Sequence, residues 1–323
     1  MARDRPRAGI DYPRNKRELM TWFPSQEACV EYLERVRWPD GFVCPDCEHH
    51  GGWKASRGRW VCGGCRRQTT VTAGTALHGT RTPLAVWMAV VWEMTGDKTG
   101  ISAMSIYKEW GFGSYETAWA WLHKLRRSMV VMDRSRLAGI VEVDETYVGG
   151  YEEGVTGRET NTKSIVVVAV ERRRGRNGPV SGRVRLGVVP DVSFASLYAF
   201  IEENIEPGTL IVTDAWSGYK SLNRKAYEHQ AINVSRSGKK AHEVLPLVHR
   251  HASLLKRWLL GRHQGAVSPA NLDYYLDEYV FRFNRRSAKH RGLLFYRLVQ
   301  QAVRTDPSPL PTLLSPEAKN SSW

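Results

Sequence analysis

Four side chains stand out for the chemistry they could share. Asp144 closes the run Gly139-Ile140-Val141-Glu142-Val143, and Asp214 closes Thr209-Leu210-Ile211-Val212-Thr213. His249 follows Asp214 after 34 intervening residues, and Lys256 lies seven residues further on. Two acids at strand ends plus a third ligand on a later helix suit a pair of oxygen-seeking divalent cations, Mg²⁺ or Mn²⁺. Such ions, about 3.5–4 Å apart, activate a water or 3′-hydroxyl and stabilise the leaving oxygen of a phosphodiester. The expected substrate is nucleic acid. Strand alternation puts Glu142 and Asp144 on one face and Glu145 on the other. On a helix beginning at Pro246, positions 249, 253, 256 and 260 share a face, with Val248, Ala252, Leu255 and Leu259 turned inward. His251 is rotated about 200° from His249 and is the weaker candidate. Lys256, with Arg257 beside it, would meet the phosphate next to the scissile bond. Taken singly each residue has a plain reading, since strand-end aspartates form turns and helix histidines are commonly surface residues. Their order and spacing make the case.

A second constellation lies upstream. Cys44-Pro45-Asp46-Cys47 and Cys62-Gly63-Gly64-Cys65 are two C-x2-C knuckles with 14 residues between them. Four thiolates close a tetrahedral zinc site with no open position, which is structural rather than catalytic. Gly63 and Gly64 are expected to let the backbone turn so that its amides face the sulfurs. His49 and His50 are alternative ligands that four well-spaced cysteines make unnecessary. Arg57, Arg59, Arg66 and Arg67 around the second knuckle favour DNA over a protein contact. Cys29 stands alone and reads as a buried thiol.

These residues need elements to hold them. Residues 18–40 read as one amphipathic helix, with Pro24 near its start, and 42–80 as the cysteine module. A Trp-rich helix spans 84–94. Two further helices within 101–130 have the outline of a helix-turn-helix, the second capped by Ser114 and exposing Lys124, Arg126 and Arg127 to phosphates. The plain alternative is a helical bundle joining two domains, with Trp87, Trp92, Trp110, Trp119 and Trp121 as core. Strands are expected at 140–148, 164–171, 183–189 and 209–214, with a weaker one at 228–234. Helices are expected at 194–205, 246–260 and 269–284, the last two closing the chain, and Ser268 is expected to cap the last. Arg172 to Gly178 reads as an exposed turn, and the Pro-rich tail from 305 as loosely ordered. This is an α/β order, a mixed sheet flanked by helices.

The bulk numbers agree with a polyanionic partner. The net charge is +14 over 323 residues, and each of 1–80, 81–138 and 139–323 is net basic, so each could touch phosphate. Paired cysteines fit metal binding in a reducing cytoplasm. The Arg-rich N-terminus has no apolar core and does not read as a secretory signal, and no run is long enough to span a bilayer.

Four stretches together resemble zinc-ribbon insertion-sequence transposases of the DDE type, those with an ISXO-type domain. They are Val141-Glu142-Val143-Asp144-Glu145-Thr146-Tyr147-Val148-Gly149-Gly150, Thr213-Asp214-Ala215-Trp216-Ser217-Gly218-Tyr219, Ser253-Leu254-Leu255-Lys256 and Tyr275 through Arg286. The ribbon exit from Cys65 to Thr75 is similar to the same family. The resemblance covers about residues 20–290. It implies an RNase H-like catalytic domain, preceded by a small zinc ribbon and a helix-turn-helix-like linker, and Mg²⁺-dependent cleavage at transposon ends followed by strand transfer. Asp144 and Asp214 match the family's first two acids, and Lys256 its basic residue seven beyond the third. The third position is commonly Glu or Asn, and here the same register gives His249. An imidazole is softer than a carboxylate, so Mn²⁺ is expected to be tolerated or preferred. Activity is expected to fall as pH drops through about 6.5. Glu243 is the substitute ligand.

The expected organisation is an N-terminal helical segment over 1–41, a zinc ribbon over 42–80, a DNA-binding linker over 81–138, the catalytic domain over 139–304 and a tail over 305–323. Arg66, Arg67, Lys124, Arg126, Arg127, Arg257, Arg285 and Arg286, with Lys289 and Arg291, are expected to hold double-stranded DNA, both the terminal inverted repeats and the target. The cofactors expected are structural Zn²⁺ and catalytic Mg²⁺ or Mn²⁺. The expected enzyme is cytoplasmic, nucleoid-associated through DNA, and a homodimer or larger. Two rivals remain: a catalytically inactive, transposase-derived DNA-binding protein, and a nuclease without a joining step.

Overall fold

The computed structural model describes residues 5–97, 99–130, 134–150, 162–264 and 267–314. The chain divides into two compact units, Met1–Val131 with Ser287–Trp323, and Met132–Arg286.

The first unit opens with α1 (Lys16–Trp22) and α2 (Gln26–Arg37). The single helix expected over 18–40 is thus two. Pro24 disfavours helix at the residue before it, and the Ser25 hydroxyl accepts the Ala28 amide at 3.3 Å to start α2 afresh. Cys29 is fully buried in α2, and burial pushes its thiol up to about 11. Strands β1 (Gly52–Ala55), β2 (Arg59–Cys62) and β3 (Gln68–Thr69) form a small antiparallel sheet. Helices α3 (Leu84–Gly96), α4 (Ala103–Glu109) and α5 (Tyr115–Arg127) follow, and Ser114 caps α5 by accepting the Thr117 amide at 3.2 Å. Trp87 and Trp121 are buried and stack face to face, so they are core.

The second unit is built on one mixed sheet. Its strands are β4 (Ile140–Val148), β5 (Ser164–Gly175), β6 (Gly178–Val189), β7 (Leu210–Asp214) and β8 (Glu228–Ile232), in spatial order β6-β5-β4-β7-β8. The first three form an antiparallel meander, and β7 and β8 add in parallel beside β4. This is the RNase H-like layout. Strands β5 and β6 run further than expected, through Arg172 to Gly175 and back from Gly178, leaving only Arg176 and Asn177 as the turn. The arginines there read as an exposed loop, but Arg172 and Arg183 are neutralised by buried glutamates, which lets the strands continue.

Helix α6 (Phe194–Asn204) covers one face, where Val141, Val143, Val167, Ala169 and Ile211 form a core with Leu197 and Ile201. The short helices α7 (Val234–Ser237) and α8 (Ala241–Val244) lead to α9 (Pro246–His263), and α10 (Leu272–Asn284) follows. These last two cover the opposite face, burying Val166, Val168, Val170 and Val212 against Leu247, Leu255, Leu259 and Leu276. A 3-10 turn over Pro269–Asn271 precedes α10, and Ser268 does not cap it by its side chain, contrary to expectation.

Strand β6 is an edge, with main-chain groups that would otherwise be unpaired. The Asn284 amide bonds both the N–H (2.8 Å) and the C=O (3.0 Å) of Val184. Asp273 accepts the Val188 amide at 3.3 Å, and the Arg286 guanidinium donates to the carbonyls of Ser181 and Gly182. Two polar side chains of α10, Asp273 and Asn284, and Arg286 just beyond its end therefore seal the edge. Asn284→Ala is expected to leave the amide of fully buried Val184 without its partner, while the carbonyl keeps Arg185 Nη1 at 3.1 Å, at a cost of about 1–3 kcal/mol. A thermal scan should show the midpoint falling and aggregation on heating rising. An unchanged midpoint would mean that the edge is sealed otherwise.

Two closing helices were expected, and the described residues hold two more. Helix α11 (Gly292–Ala302) and α12 (Leu310–Leu314) belong to the first unit, so residues 287–304 cluster with the N-terminal part of the chain rather than with the sheet. In α11, Leu294, Phe295, Leu298 and Val299 are buried. The Phe295 ring meets Phe23, Tyr32 and Trp92 at centroid distances of 6.0, 6.2 and 5.8 Å. Gly292 starts the helix so close to the chain that a Cβ would lie 1.7 Å from the Pro13 carbonyl oxygen. The expected loose tail begins with α12, and its part from residue 315 lies outside the described residues. No helix among the described residues is long and apolar enough to cross a membrane.

Candidate active site and zinc centre

Strands β4 and β7 are in parallel register from Ile140↔Leu210 to Glu142↔Val212. Two residues further on, the same offset brings Asp144 level with Asp214 on neighbouring strands, which lie about 4.8 Å apart. Both point to the α9 face by alternation with Glu142 and Val212. Each is fixed by local backbone: Asp144 Oδ1 accepts the Glu145 amide at 2.9 Å, and Asp214 Oδ1 the Trp216 amide at 3.0 Å. From α9, His249 Nε2 stands 3.6 Å from Asp144 Oδ2. Burial is the main cause holding the His249 pKa below 6.5; His242 adds to the depression, and Glu142 and Asp214 oppose it. The ring is therefore neutral at pH 7 and able to offer a lone pair. The fully buried Tyr219 donates its hydroxyl to Glu145 Oε2 at 3.0 Å, and its pKa is raised by burial first and then by Glu145, Asp144 and Asp214. Asp214 ends β7 as expected, but Asp144 lies in the middle of β4, which continues to Val148 because Glu145 to Val148 still pair with β5; the two positions form one acidic focus.

Lys256 and Arg257 are exposed on α9. Partial desolvation and then the nearby Lys163 lower the Lys256 pKa. Lys163, at the start of β5, is a second cation that the sequence reading missed. The substitute ligand Glu243 is exposed, and its carboxylate accepts the Lys240 amide at 2.7 Å, closing the turn of α8.

Glu142 shares the face of Asp144 but is committed elsewhere. It is fully buried, bonded to Arg172 and to two amides of α9. Alternation shows its direction, while its partners on α9 lie 105 and 106 residues away. His251 is also buried, with Nδ1 3.0 Å from Tyr279 Oη and Nε2 3.1 Å from Ser181 Oγ. Burial first, then Arg286 and Arg250, lower its pKa to about 4. An unfolded histidine takes up its proton near 6.5, so the neutral buried ring stabilises the fold fully above that pH and progressively less as pH falls toward 4. The parent is expected to lose about 2 kcal/mol through this group between pH 7.5 and 5. His251→Gln should show a flatter pH profile of unfolding, and equal slopes would contradict this account.

In the ribbon, Cys44, Cys47, Cys62 and Cys65 bring their sulfurs within 4.8 Å of one another. They are the one such metal-ligating set of three or more side chains among the described residues. Cys44 and Cys65 are 3.8 Å apart and Cys47 and Cys62 3.6 Å. A tetrahedron with Zn–S bonds of about 2.3 Å has edges near 3.8 Å, so the set fits zinc. The amides of Gly64 and Cys65 point at Cys62 Sγ at 3.3 and 3.4 Å. The left-handed residues of the knuckles are Glu48 (φ 57) and Arg66 (φ 62), each just after its second cysteine, and not Gly63 or Gly64. The glycines make room instead, since a Cβ on Gly64 would come within 3.0 Å of the His49 ring.

The expected DNA contacts divide. Arg66 is exposed and stacks over Trp53 at 5.0 Å, and Arg67 pairs with Asp46 at 3.0 Å. Lys124 and Arg127 are half-buried on α5. Arg126 was expected to be exposed and is not: only 1 % is accessible, with Nη1 3.4 Å from His123 Nε2. Charge alone misplaced it, because α5 buries residues over most of its circumference. Arg285 lies over the Phe281 ring at 4.1 Å, and the Arg286 guanidinium is engaged on β6 carbonyls.

Residues 136–284 match the ISXO2-like transposase domain, and residues 24–68 match the transposase zinc-ribbon domain. The chain belongs to the zinc-ribbon, ISXO2-like transposases. An uncharacterised transposase-like protein of Haemophilus influenzae is 26% identical over 116 residues, 36% of this chain and 93% of that protein. In this transposase-family chain the first match begins just before β4 and ends with α10. It therefore takes in the acid-bearing strands, α9 and the helix that seals the sheet edge.

Proposed function

We propose that the chain is an insertion-sequence transposase that cuts at the ends of its element and joins them to target DNA. The observation that carries this reading is the parallel register that levels Asp144 with Asp214, with His249 facing Asp144. Asp144, Asp214 and His249 would hold Mg²⁺ or Mn²⁺, which when bound supplies an activated water or 3′-hydroxyl and charge for the leaving oxygen. The aspartates present two carboxylates from a rigid sheet. His249, neutral at pH 7, adds a nitrogen donor that favours Mn²⁺ over Mg²⁺. Lys256 and Lys163 supply positive charge for the DNA backbone at the acidic focus. Arg66, Arg67, Lys124, Arg127, Arg257 and Arg285 are the remaining candidates for phosphate contact. Double-stranded DNA is the proposed partner, and two ends to be joined call for at least a dimer, working at the nucleoid in the cytoplasm.

One observation favours a second reading, a DNA-binding relic: the third ligand is a histidine where the family commonly has Glu or Asn. The test is incubation with DNA carrying the element's own ends, in Mg²⁺ or Mn²⁺, beside His249→Ala. Joined strands, stronger in Mn²⁺ and lost in His249→Ala, would support the transposase. Cleaved but never joined strands would indicate a nuclease, and end binding without cleavage in either metal the relic. Because His249 is depressed below 6.5, the acid limb of the activity profile is expected below that value.

A further inference from the structure

Helix α9 starts without a side-chain cap of its own: Leu245 at the N-cap has no side-chain oxygen, and Pro246 occupies the first turn. The exposed amides of a helix start are a locus of positive potential and need acceptors. Here the acceptor comes from the sheet. Glu142 Oε2 takes the amides of Leu247 and Val248 at 2.8 and 3.3 Å. Its other oxygen takes Nε and Nη2 of Arg172 at 3.1 and 2.8 Å. The carboxylate is fully buried, so these charge-assisted bonds are shielded from water. On β4, Asp144 follows two residues after Glu142; on α9, His249 is the residue after Val248.

We propose that Glu142, anchored by Arg172, is a positioning residue that fixes the height and rotation of α9 over β4, and so where His249 and Lys256 stand relative to Asp144. The effect on metal rests on the reading given above, while the tie itself does not. A slip of one residue along a helix shifts a side chain by about 1.5 Å and turns it by about 100°, enough to take His249 out of reach of Asp144. A buried ion pair kept only for stability would be replaceable, since such pairs add little net stability.

The experiment uses the zinc-loaded full chain and compares the parent with Glu142→Gln, Glu142→Asp, Arg172→Met and Asp144→Asn. Two quantities are read: amide exchange along α9, and Mn²⁺ affinity from the resonance signal of free Mn²⁺. Glu142→Asp keeps the charge but is one methylene short. Glu142→Gln keeps one acceptor and loses the charge that holds Arg172. Both should speed exchange at Leu247 and Val248 about tenfold or more and weaken Mn²⁺ by about tenfold, the scale seen for groups that orient a ligand. Exchange in β4 and β5 should stay as in the parent. Unchanged exchange at the start of α9 overturns the proposal. So does accelerated exchange with Mn²⁺ affinity within twofold of the parent, which is what a merely structural tie would give. Should the parent and Asp144→Asn bind Mn²⁺ equally poorly, the metal reading fails, and unchanged exchange at the start of α9 would still overturn the tie between Glu142 and the helix. Should the Glu142 variants not fold, Arg172→Met, at a side chain 29% exposed, carries the same comparison.

Discussion

Asp214→Asn is expected to abolish detectable cleavage and joining while leaving the protein folded. Asparagine keeps the side-chain oxygen that accepts the Trp216 amide, so the turn leaving β7 survives. What goes is one of two negative charges that the β4–β7 register brings level. A divalent cation held by fixed carboxylates stabilises charge that develops only in the transition state. Removing one such preorganised partner costs on the order of 10²- to 10³-fold in rate. Stability should move the other way or not at all, because Asp144, Glu145 and Asp214 repel one another in one focus, the field that also reaches Tyr219. Activity lost at an undiminished unfolding temperature is the signature to look for, and Asp144→Asn should reproduce it. An Asp214→Asn protein that still joins strands at the parent rate would rule out the proposed metal site.

The second large effect concerns zinc. The ribbon's core cluster is small: Phe42, Cys44 and Cys62 are buried in it, and two of these are ligands of the cysteine set. Stacking of Phe42 on Trp60 at 4.9 Å adds to it. Trp38 packing and the bonds of Glu34 to Trp60 and Lys54 tie the strands to α2, but a cluster this small leaves metal binding to supply most of the ribbon's folding free energy, on the order of 10–16 kcal/mol for such sites. A strong chelator, or Cys62→Ser, is expected to unfold the ribbon while the β4–β8 sheet persists. Tryptophan emission at Trp53 and Trp60 should shift to the red, and amide exchange should become fast over 42–69 only. Restored zinc should reverse the chelator effect. Protection that survives metal removal would show that the ribbon stands without it.

The acid-bearing strands were legible as short runs rich in β-branched residues, and Asp214 does end its strand, whereas Asp144 sits inside β4, whose pairing with β5 carries on to Val148. The cysteine knuckles were legible from spacing alone. Other features depend on partners far along the chain. Glu142 looks like a further ligand by alternation until the amides of α9 claim it. Arg172 looks like part of a charged turn until buried Glu142 neutralises it inside a hairpin. Arg126 looks like a phosphate contact, yet it is buried. Helix α11 has an apolar face as plain as any other, but nothing local says which unit it completes. That is decided by the fit of Gly292 against Pro13. Charges were the residues most often misread, since a charge says what it needs but not where it finds it.

The unit holding the ribbon is assembled from both ends of the chain, whereas the sheet-bearing unit, Met132–Arg286, is continuous. During synthesis the sheet can close as soon as Arg286 has left the ribosome. The segment before the sheet must wait for α11, translated after the whole of the sheet, with Phe295 still missing from the cluster of Phe23, Tyr32 and Trp92. A message broken before α11 would therefore yield a finished sheet attached to an unfinished N-terminal unit, prone to capture by chaperones or proteases. Discontinuity in the chain thus acts as a check on synthesis, withholding a stable N-terminal unit until translation has passed the whole of the sheet.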